Sequence, residues 1–187
     1  MKIGIFGGTF NPPHKGHLRL IETFAAKLAL DSDRAELCRR TFTGKNYEVS
    51  TMEIDRDTDS YMIFTVNEIL SKYKDAQLFL IIGSDMFLSF HKWYKYREIM
   101  KKCTLCVMSR EDEDTVKALR SYAFSTLHIY MPSNEANGII ISPSSPLEIS
   151  STEIRQKISA GEDVSDVLTK EAYEFIKERG MYGYAKK

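Results

Sequence analysis

Lys2-Ile3-Gly4-Ile5-Phe6 runs straight into Gly7-Gly8-Thr9-Phe10-Asn11-Pro12-Pro13-His14-Lys15-Gly16-His17, and this junction constrains the fold more than any other stretch of the chain. The first five residues are short, apolar and β-branched in part, the pattern of a buried parallel strand. Two glycines then allow a tight turn and a close backbone approach to a ligand. Asn-Pro-Pro stops regular structure, and two histidines three residues apart open an amphipathic helix. Strand, glycine turn and helix start together form a place for a phosphate, because open amides and the helix dipole face the anion. The imidazoles add donors where charge develops during phosphoryl chemistry.

The segment matches neither of the two standard phosphate loops. It lacks the Gly-Lys-Ser/Thr end of a P-loop and the G-x-G-x-x-G of a dinucleotide fingerprint. Taken alone, Gly-Gly after a strand is an ordinary turn and a lone histidine an ordinary surface residue.

Downstream, apolar strands and amphipathic helices alternate. Leu18 to Leu30 and Asp33 to Thr41 read as helices, Tyr47 to Ile54 as a strand and Met62 to Tyr73 as a helix. Leu78 to Ile82 is the most apolar strand and is expected at the centre of the sheet, with Cys103 to Met108 another. Asp114 to Tyr122 reads as a helix, and Thr126 to Tyr130 and Gly138 to Ile141 as short strands. Ser150, with Glu153 three residues on, predicts a capping box on a helix through Ile158, and Lys170 to Glu178 is the last helix. The expectation is an α/β fold: a doubly wound, Rossmann-like, mostly parallel sheet with helices on both faces. At 187 residues the chain reads as one domain, 1–187, with a helical C-terminal part from about residue 150.

Charge narrows the partners. The 26 basic and 26 acidic residues cancel, so no global field or basic stripe argues for nucleic acid or an anionic membrane. No apolar run approaches the roughly 20 residues that span a bilayer. A strand beginning at Lys2 leaves no signal peptide, and three sparse cysteines fit a reducing cytoplasm. Cys103-x-x-Cys106 sits in an apolar strand with no second pair, so it reads as structural rather than as a metal site.

Three further clusters carry polar chemistry. Gly83-Ser84-Asp85 closes the central strand, where a doubly wound sheet has its crevice. Asp85 there suits a ribose hydroxyl or a metal, and equally an N-cap for a helix starting at Met86. Ser150-Ser151-Thr152-Glu153-Ile154-Arg155 puts three hydroxyls and an arginine at a helix start, a second anion site. Phe90-His91-Lys92-Trp93-Tyr94-Lys95-Tyr96 interleaves rings with charge, which serves either a core or a stacking face.

Together these segments resemble the H-x-G-H and I-S-S-T-x-I-R motifs of the nucleotidyltransferase superfamily of adenylyl- and cytidylyltransferases. The run from Ile82 through Tyr94 is similar to the bacterial nicotinate-nucleotide adenylyltransferases in particular, and the likeness extends from Lys2 to about Tyr182. The resemblance implies adenylyl transfer from ATP to nicotinate mononucleotide, giving deamido-NAD and pyrophosphate. It implies catalytic roles for His14, His17 and Arg155. It implies ATP binding at Gly7, Gly8, Thr9, Phe10, Gly83, Asp85, Ser151, Thr152 and Arg155. It implies acceptor binding at Tyr61, Met62, Trp93 and Tyr94, with the Trp-Tyr pair on the pyridine ring and backbone amides at its carboxylate. Magnesium would come with ATP, held by phosphates and water rather than by a protein cage. The same chemistry on nicotinamide mononucleotide, and a nucleotide binder without turnover, stay open, as does a homo-oligomer.

The chain departs from that pattern twice. The family has a second parallel strand and a P-x-x-x-P-P-H-K loop after the first helix, whereas no strand candidate stands between Ala25 and Leu37 here, as though about 20 residues were absent. In Ser60-Tyr61-Met62-Ile63-Phe64-Thr65, Met62 takes the place of the threonine in the family's S-Y-T-x-x-T.

Overall fold

Leu78-Phe79-Leu80-Ile81-Ile82 carries no alternation of polar and apolar residues, and such a run is stable as a strand only where both sheet faces are covered. In the computed structural model it forms β4 (Gln77–Gly83), paired in parallel with β1 (Lys2–Phe6) on one side and β5 (Cys103–Ser109) on the other. The structure describes residues 2–7, 12–18, 26–29, 38–43, 48–53, 55–57, 59–109, 113–143 and 149–184. They fall into two compact units, Met1–Gly7 with Asp55–Pro146, and Gly8–Ile54 with Leu147–Lys187.

In the first unit the sheet runs β1-β4-β5-β7-β6, where β6 is Glu135–Ala136 and β7 is Ile139–Pro143. All pairs are parallel except β6 with β7. That antiparallel edge turns on Asn137-Gly138, both at positive φ (50° and 79°), the conformation a two-residue hairpin requires. Helix α1 (Met62–Lys72) buries Ile63, Val66 and Ile69 on one face, as its 3.6-residue period dictates. After β4 come three short helical pieces, α2 (Ser84–Leu88), a 3₁₀ turn at Phe90–Lys92 and α3 (Tyr96–Lys102), which bury Phe87, Phe90 and Ile99 completely. Helix α4 spans Glu113–Ser125.

In the second unit β2 (Ala26–Ala29) pairs in parallel with β3 (Glu48–Ser50). Residues 15–18 and 38–41 are helical. The C-terminal part contributes α5 (Ser151–Ser159) and α6 (Lys170–Arg179). Ile154, Ile158, Val164, Leu168, Ala172, Phe175 and Ile176 form its core. The expected capping box is present on α5, with Ser150 and Glu153 each bonding the other's backbone amide. Gly180 closes α6 in the left-handed region (φ 62°), where the absence of Cβ removes the strain.

The class is α/β and Rossmann-like, with a mostly parallel sheet. Three local expectations are corrected. Ala26–Ala29 is a strand rather than the end of a helix, and it stands where no strand candidate was found. Ala, Lys and Leu favour helix in isolation, but parallel pairing of Lys27 with Glu48 and Leu28 with Val49 overrides that small preference. The preceding residues 19–25, and 30–37, lie outside the described residues. Thr126 to Tyr130 is not a strand, because the amides of Thr126, Leu127 and Ile129 donate back to carbonyls of Tyr122 and Ala123, and His128 sits at φ 60°. Finally, α2 starts at Ser84 with Gly83 as its N-cap, so Asp85 is inside the first turn and is not the cap.

Candidate active site

Just after Pro12 and Pro13, the His14 carbonyl accepts from the amides of His17 (2.9 Å) and Leu18 (3.2 Å) and so starts the helical turn. This turn brings the two imidazoles together, with ring centroids 3.8 Å apart. The His14 amide donates to Nδ1 of His17 at 3.3 Å. A ring nitrogen that accepts is unprotonated, so neutral His17 carries its proton on Nε2. His14 is buried, and among the described residues its Nδ1 meets no hydrogen-bond partner. Burial lowers the His14 pKa from 6.5 to about 4. Burial, and then repulsion from His14, lowers that of His17 to about 3. Both rings are therefore neutral at pH 7, available as N–H donors rather than as cations.

The second anion motif, 139 residues later in sequence, is in the same unit and touches the first. Ser151 Oγ donates to the carbonyl of Pro12 at 3.0 Å. One turn into α5, Arg155 Nη2 donates to Thr152 Oγ1 at 3.1 Å, which fixes the guanidinium beside the helix start. With Ile154 and Ile158 fixed in the core of the unit, the helix start is anchored to the histidine turn. The hydroxyl of Ser151 thus holds the two phosphate motifs together, a structural role its sequence motif did not reveal. Lys15, between the histidines, is also engaged: its amide donates to the Val167 carbonyl at 2.9 Å.

The other predicted residues lie in the first unit. Gly7 follows β1 and Gly83 ends β4, both at the carboxyl edge of the sheet. A Cβ on Gly83 would meet no atom within 4 Å, so the fold itself leaves open space there. At Gly7 a Cβ would come within 3.2 Å of Met62 Cε, placing the methionine tip against the end of β1. Asp85 is exposed in the first turn of α2. Gly8, Thr9 and Phe10 lie outside the described residues.

The aromatic segment divides. Trp93 packs on buried Phe90, with centroids 5.2 Å apart. Tyr94 turns instead to Tyr61, 4.7 Å away and tilted by 37°. Phe64 stands edge-on to both tyrosines, at 6.0 and 6.1 Å. Its place three residues beyond Tyr61, at the spacing of helix neighbours, was the available signal for including it. Tyr61 is the N-cap of α1, its side chain makes no cap hydrogen bond, and no acidic residue occupies the first turn. The start of α1 therefore offers amides and the positive dipole end beside exposed rings. Cys38, Cys103 and Cys106 are buried, and burial raises the last two thiols to about 12 and about 11, which fits the structural reading of the Cys103-x-x-Cys106 pair. Among the described residues no group of three or more His, Cys, Asp or Glu side chains is placed to hold a metal ion. Among the same residues no helix is long and apolar enough to cross a membrane.

Comparison with known proteins gives this arrangement a family. The cytidylyltransferase-like family model matches residues 5–32 and 28–157, most of the chain. The chain belongs to the cytidylyltransferase-like family. A relative from Neisseria meningitidis serogroup B, named a probable nicotinate-nucleotide adenylyltransferase, is 30% identical over 203 aligned positions, covering 97% of this chain and 98% of its own length. The chain is accordingly a nucleotidyltransferase. A putative nicotinate-nucleotide adenylyltransferase from Vibrio parahaemolyticus superposes with a TM-score of 0.68 at 23% identity, over 98% of this chain and 96% of the other. The nicotinic acid mononucleotide adenylyltransferase of Plasmodium falciparum, solved with NaAD, gives 0.71 at 13% identity over 98% of each chain. At these identities the two structures share the Rossmann-like fold. The Neisseria alignment is longer than the 187 residues of this chain, so the relative carries residues that the chain lacks. The two segments matched by the family model overlap at residues 28–32.

Proposed function

We propose that this protein transfers the adenylyl group of ATP to nicotinate mononucleotide, forming deamido-NAD and pyrophosphate in NAD biosynthesis. The observation that carries the reading is the Ser151–Pro12 hydrogen bond, which joins the neutral histidine pair to the Ser-Ser-Thr helix start. A phosphate oxygen of the mononucleotide attacks the α-phosphorus of ATP, the bond from that phosphorus to the β-bridging oxygen breaks, and pyrophosphate leaves. Little covalent work is asked of the protein, so positioning and charge stabilisation dominate. His14 and His17 donate to the transferring phosphoryl group. Arg155, Thr152 and the amides that open α5 hold the departing phosphates. Gly7 and Gly83 let the nucleotide approach the strand ends, Gly8, Thr9 and Phe10 contribute to ATP binding, and Asp85 takes a ribose hydroxyl. ATP enters as its magnesium complex, with the ion on phosphate oxygens and water.

On the acceptor side, Tyr61 and Tyr94 present the stacking face and Trp93 supports the loop from beneath. The uncapped start of α1, at Met62, receives the pyridine carboxylate through its amides. This feature favours the acid over the amide, since an anion gains from the helix dipole and a neutral carboxamide does not. The names of the relatives support the same acceptor. The buried free thiols of Cys103 and Cys106 support a cytoplasmic setting.

A coupled pyrophosphate assay with nicotinate and nicotinamide mononucleotides tests the proposal. Release of pyrophosphate with higher kcat/KM for the acid is expected. Preference for the amide moves the carboxylate contact away from α1, and ATP binding without pyrophosphate from either makes the protein a nucleotide binder.

A further inference from the structure

Lys15 stands between the two histidines, where a cation beside transferring phosphates would ordinarily be read as a phosphate ligand. Its ammonium faces elsewhere. Nζ donates to the backbone carbonyl of Asp166 at 2.7 Å and to that of Ser165 at 3.4 Å. Its amide takes the next carbonyl along, Val167, at 2.9 Å. Three successive carbonyls of one turn are thus gathered by a single residue.

That turn is held from within. The amide and hydroxyl of Ser165 both donate to the Asp163 carboxylate, at 3.1 and 2.8 Å. The amides of Val167 and Leu168 return to the Val164 carbonyl. Val164 and Leu168 are themselves buried in the core that holds α5 and α6. Lys15 therefore ties the residues carrying both imidazoles to a braced segment more than 140 residues away in sequence. The Ser151–Pro12 bond fixes the entry to the same turn. Without the Lys15 ammonium the turn would keep that entry bond and the amide bond to Val167, and would lose the side-chain ties to Asp166 and Ser165.

We propose that Lys15 is a positioning residue for His14 and His17, locking their turn onto the 163–168 segment rather than binding a substrate phosphate. The inference rests on the adenylyl-transfer reading for its kinetic consequence. The contact itself can be read without substrate.

The test compares wild type, Lys15→Met and Lys15→Arg as full chains, by pyrophosphate release at varied ATP and by imidazole ¹⁵N signals of the unliganded proteins. Small misplacement of catalytic groups costs up to about 10²-fold in rate, so Lys15→Met is expected to lose kcat on that order while KM for ATP stays within about twofold. Its His14 and His17 signals should move with the fold intact by circular dichroism. Lys15→Arg, which can still donate to the carbonyls, should restore most of kcat and the wild-type signals. A raised KM for ATP with kcat unchanged in Lys15→Met would make Lys15 a phosphate ligand and overturn the proposal. Imidazole signals identical to wild type in Lys15→Met would overturn it too. Absence of pyrophosphate from the wild type would sink the assigned reaction instead, and the imidazole signals would still decide the role of Lys15.

Discussion

The histidine turn and the tyrosine pair differ first in their surroundings. His14 is 5% exposed, and its turn is tied by hydrogen bonds at Pro12, Lys15 and His17. Tyr61 and Tyr94 are 42% and 46% exposed, and their rings meet each other, Phe64 and Lys95. The contrast fits the two tasks proposed for them. A donor that stabilises developing charge is effective when its dipole is already fixed and water is excluded, since nothing then has to reorganise during reaction. A ring that binds another ring by stacking must keep a face open until the ligand arrives. The two regions should therefore fail differently: one in kcat, the other in KM.

The largest effect expected is at His17. His17→Ala should lower kcat by about 10³-fold at saturating substrates, the scale for removing one preorganised donor. Binding of ATP by calorimetry should persist. Turnover near wild type in that variant would detach the chemistry from the histidine turn and erase the contrast.

Acid should separate the two regions as well. The folded protein holds His14 at about 4 and His17 at about 3, against 6.5 for an unperturbed imidazole. Between those values the unfolded chain binds more protons than the folded one, so stability rises with pH across the window and is level above about 6.5. Lowering the pH from 7 to 4.5 should reduce the urea midpoint, and the fall should be shallower in His17→Ala. The kcat profile should show no limb near 6.5, because neither ring gains a proton there. A limb at that pH in wild type would mean that the histidines work as cations.

Much of this contrast was legible in the sequence, and the reason is local. A capping box, a proline stop and a glycine turn are set by a few neighbouring residues, so the Ser150–Glu153 cap and the His14 turn were readable directly. The continuous apolar runs of β4 and β5 likewise declared buried parallel strands. What sequence concealed depends on partners distant along the chain. Ala26–Ala29 is a strand only because β3 pairs with it. Ser151 reads in sequence as part of a phosphate motif, and only the structure shows that its hydroxyl also reaches the Pro12 carbonyl. Trp93 and Tyr94 were one aromatic pair in sequence, but with Lys95 at φ 54° between them and α3 they face different neighbours, Phe90 and Tyr61.

Tyr94→Ala should raise KM for the mononucleotide about tenfold with kcat little changed, since a lost aromatic contact is worth roughly 0.5–1.5 kcal/mol beyond its area. Tyr94→Phe should be close to wild type, because the proposed contact needs the ring and not the hydroxyl. A kcat defect in Tyr94→Ala would show that the ring positions the attacking phosphate and would blur the division. Ser151→Ala is the matching change on the other side. Loss of one net hydrogen bond, about 1 kcal/mol, should lower kcat by about fivefold with KM for the mononucleotide unchanged.

The smallest expected effect is at Met62, where the proposed acceptor site meets the end of β1. Its Cε lies 3.2 Å from the point a Cβ on Gly7 would occupy, so the thioether covers the glycine from the α1 side. A threonine there is shorter and brings a hydroxyl to a helix start whose N-cap side chain makes no cap hydrogen bond. Met62→Thr should therefore open the space against Gly7 and add one donor near the pyridine carboxylate. One hydrogen bond is worth about fivefold at most here, and the lost thioether packing offsets part of it. KM for nicotinate mononucleotide should fall about threefold on this reasoning, with kcat unchanged and the preference for acid over amide increased. A rise in KM for both mononucleotides would reverse the assignment. The thioether itself would then be part of the acceptor's binding face, and the methionine an adaptation of this chain to a softer contact.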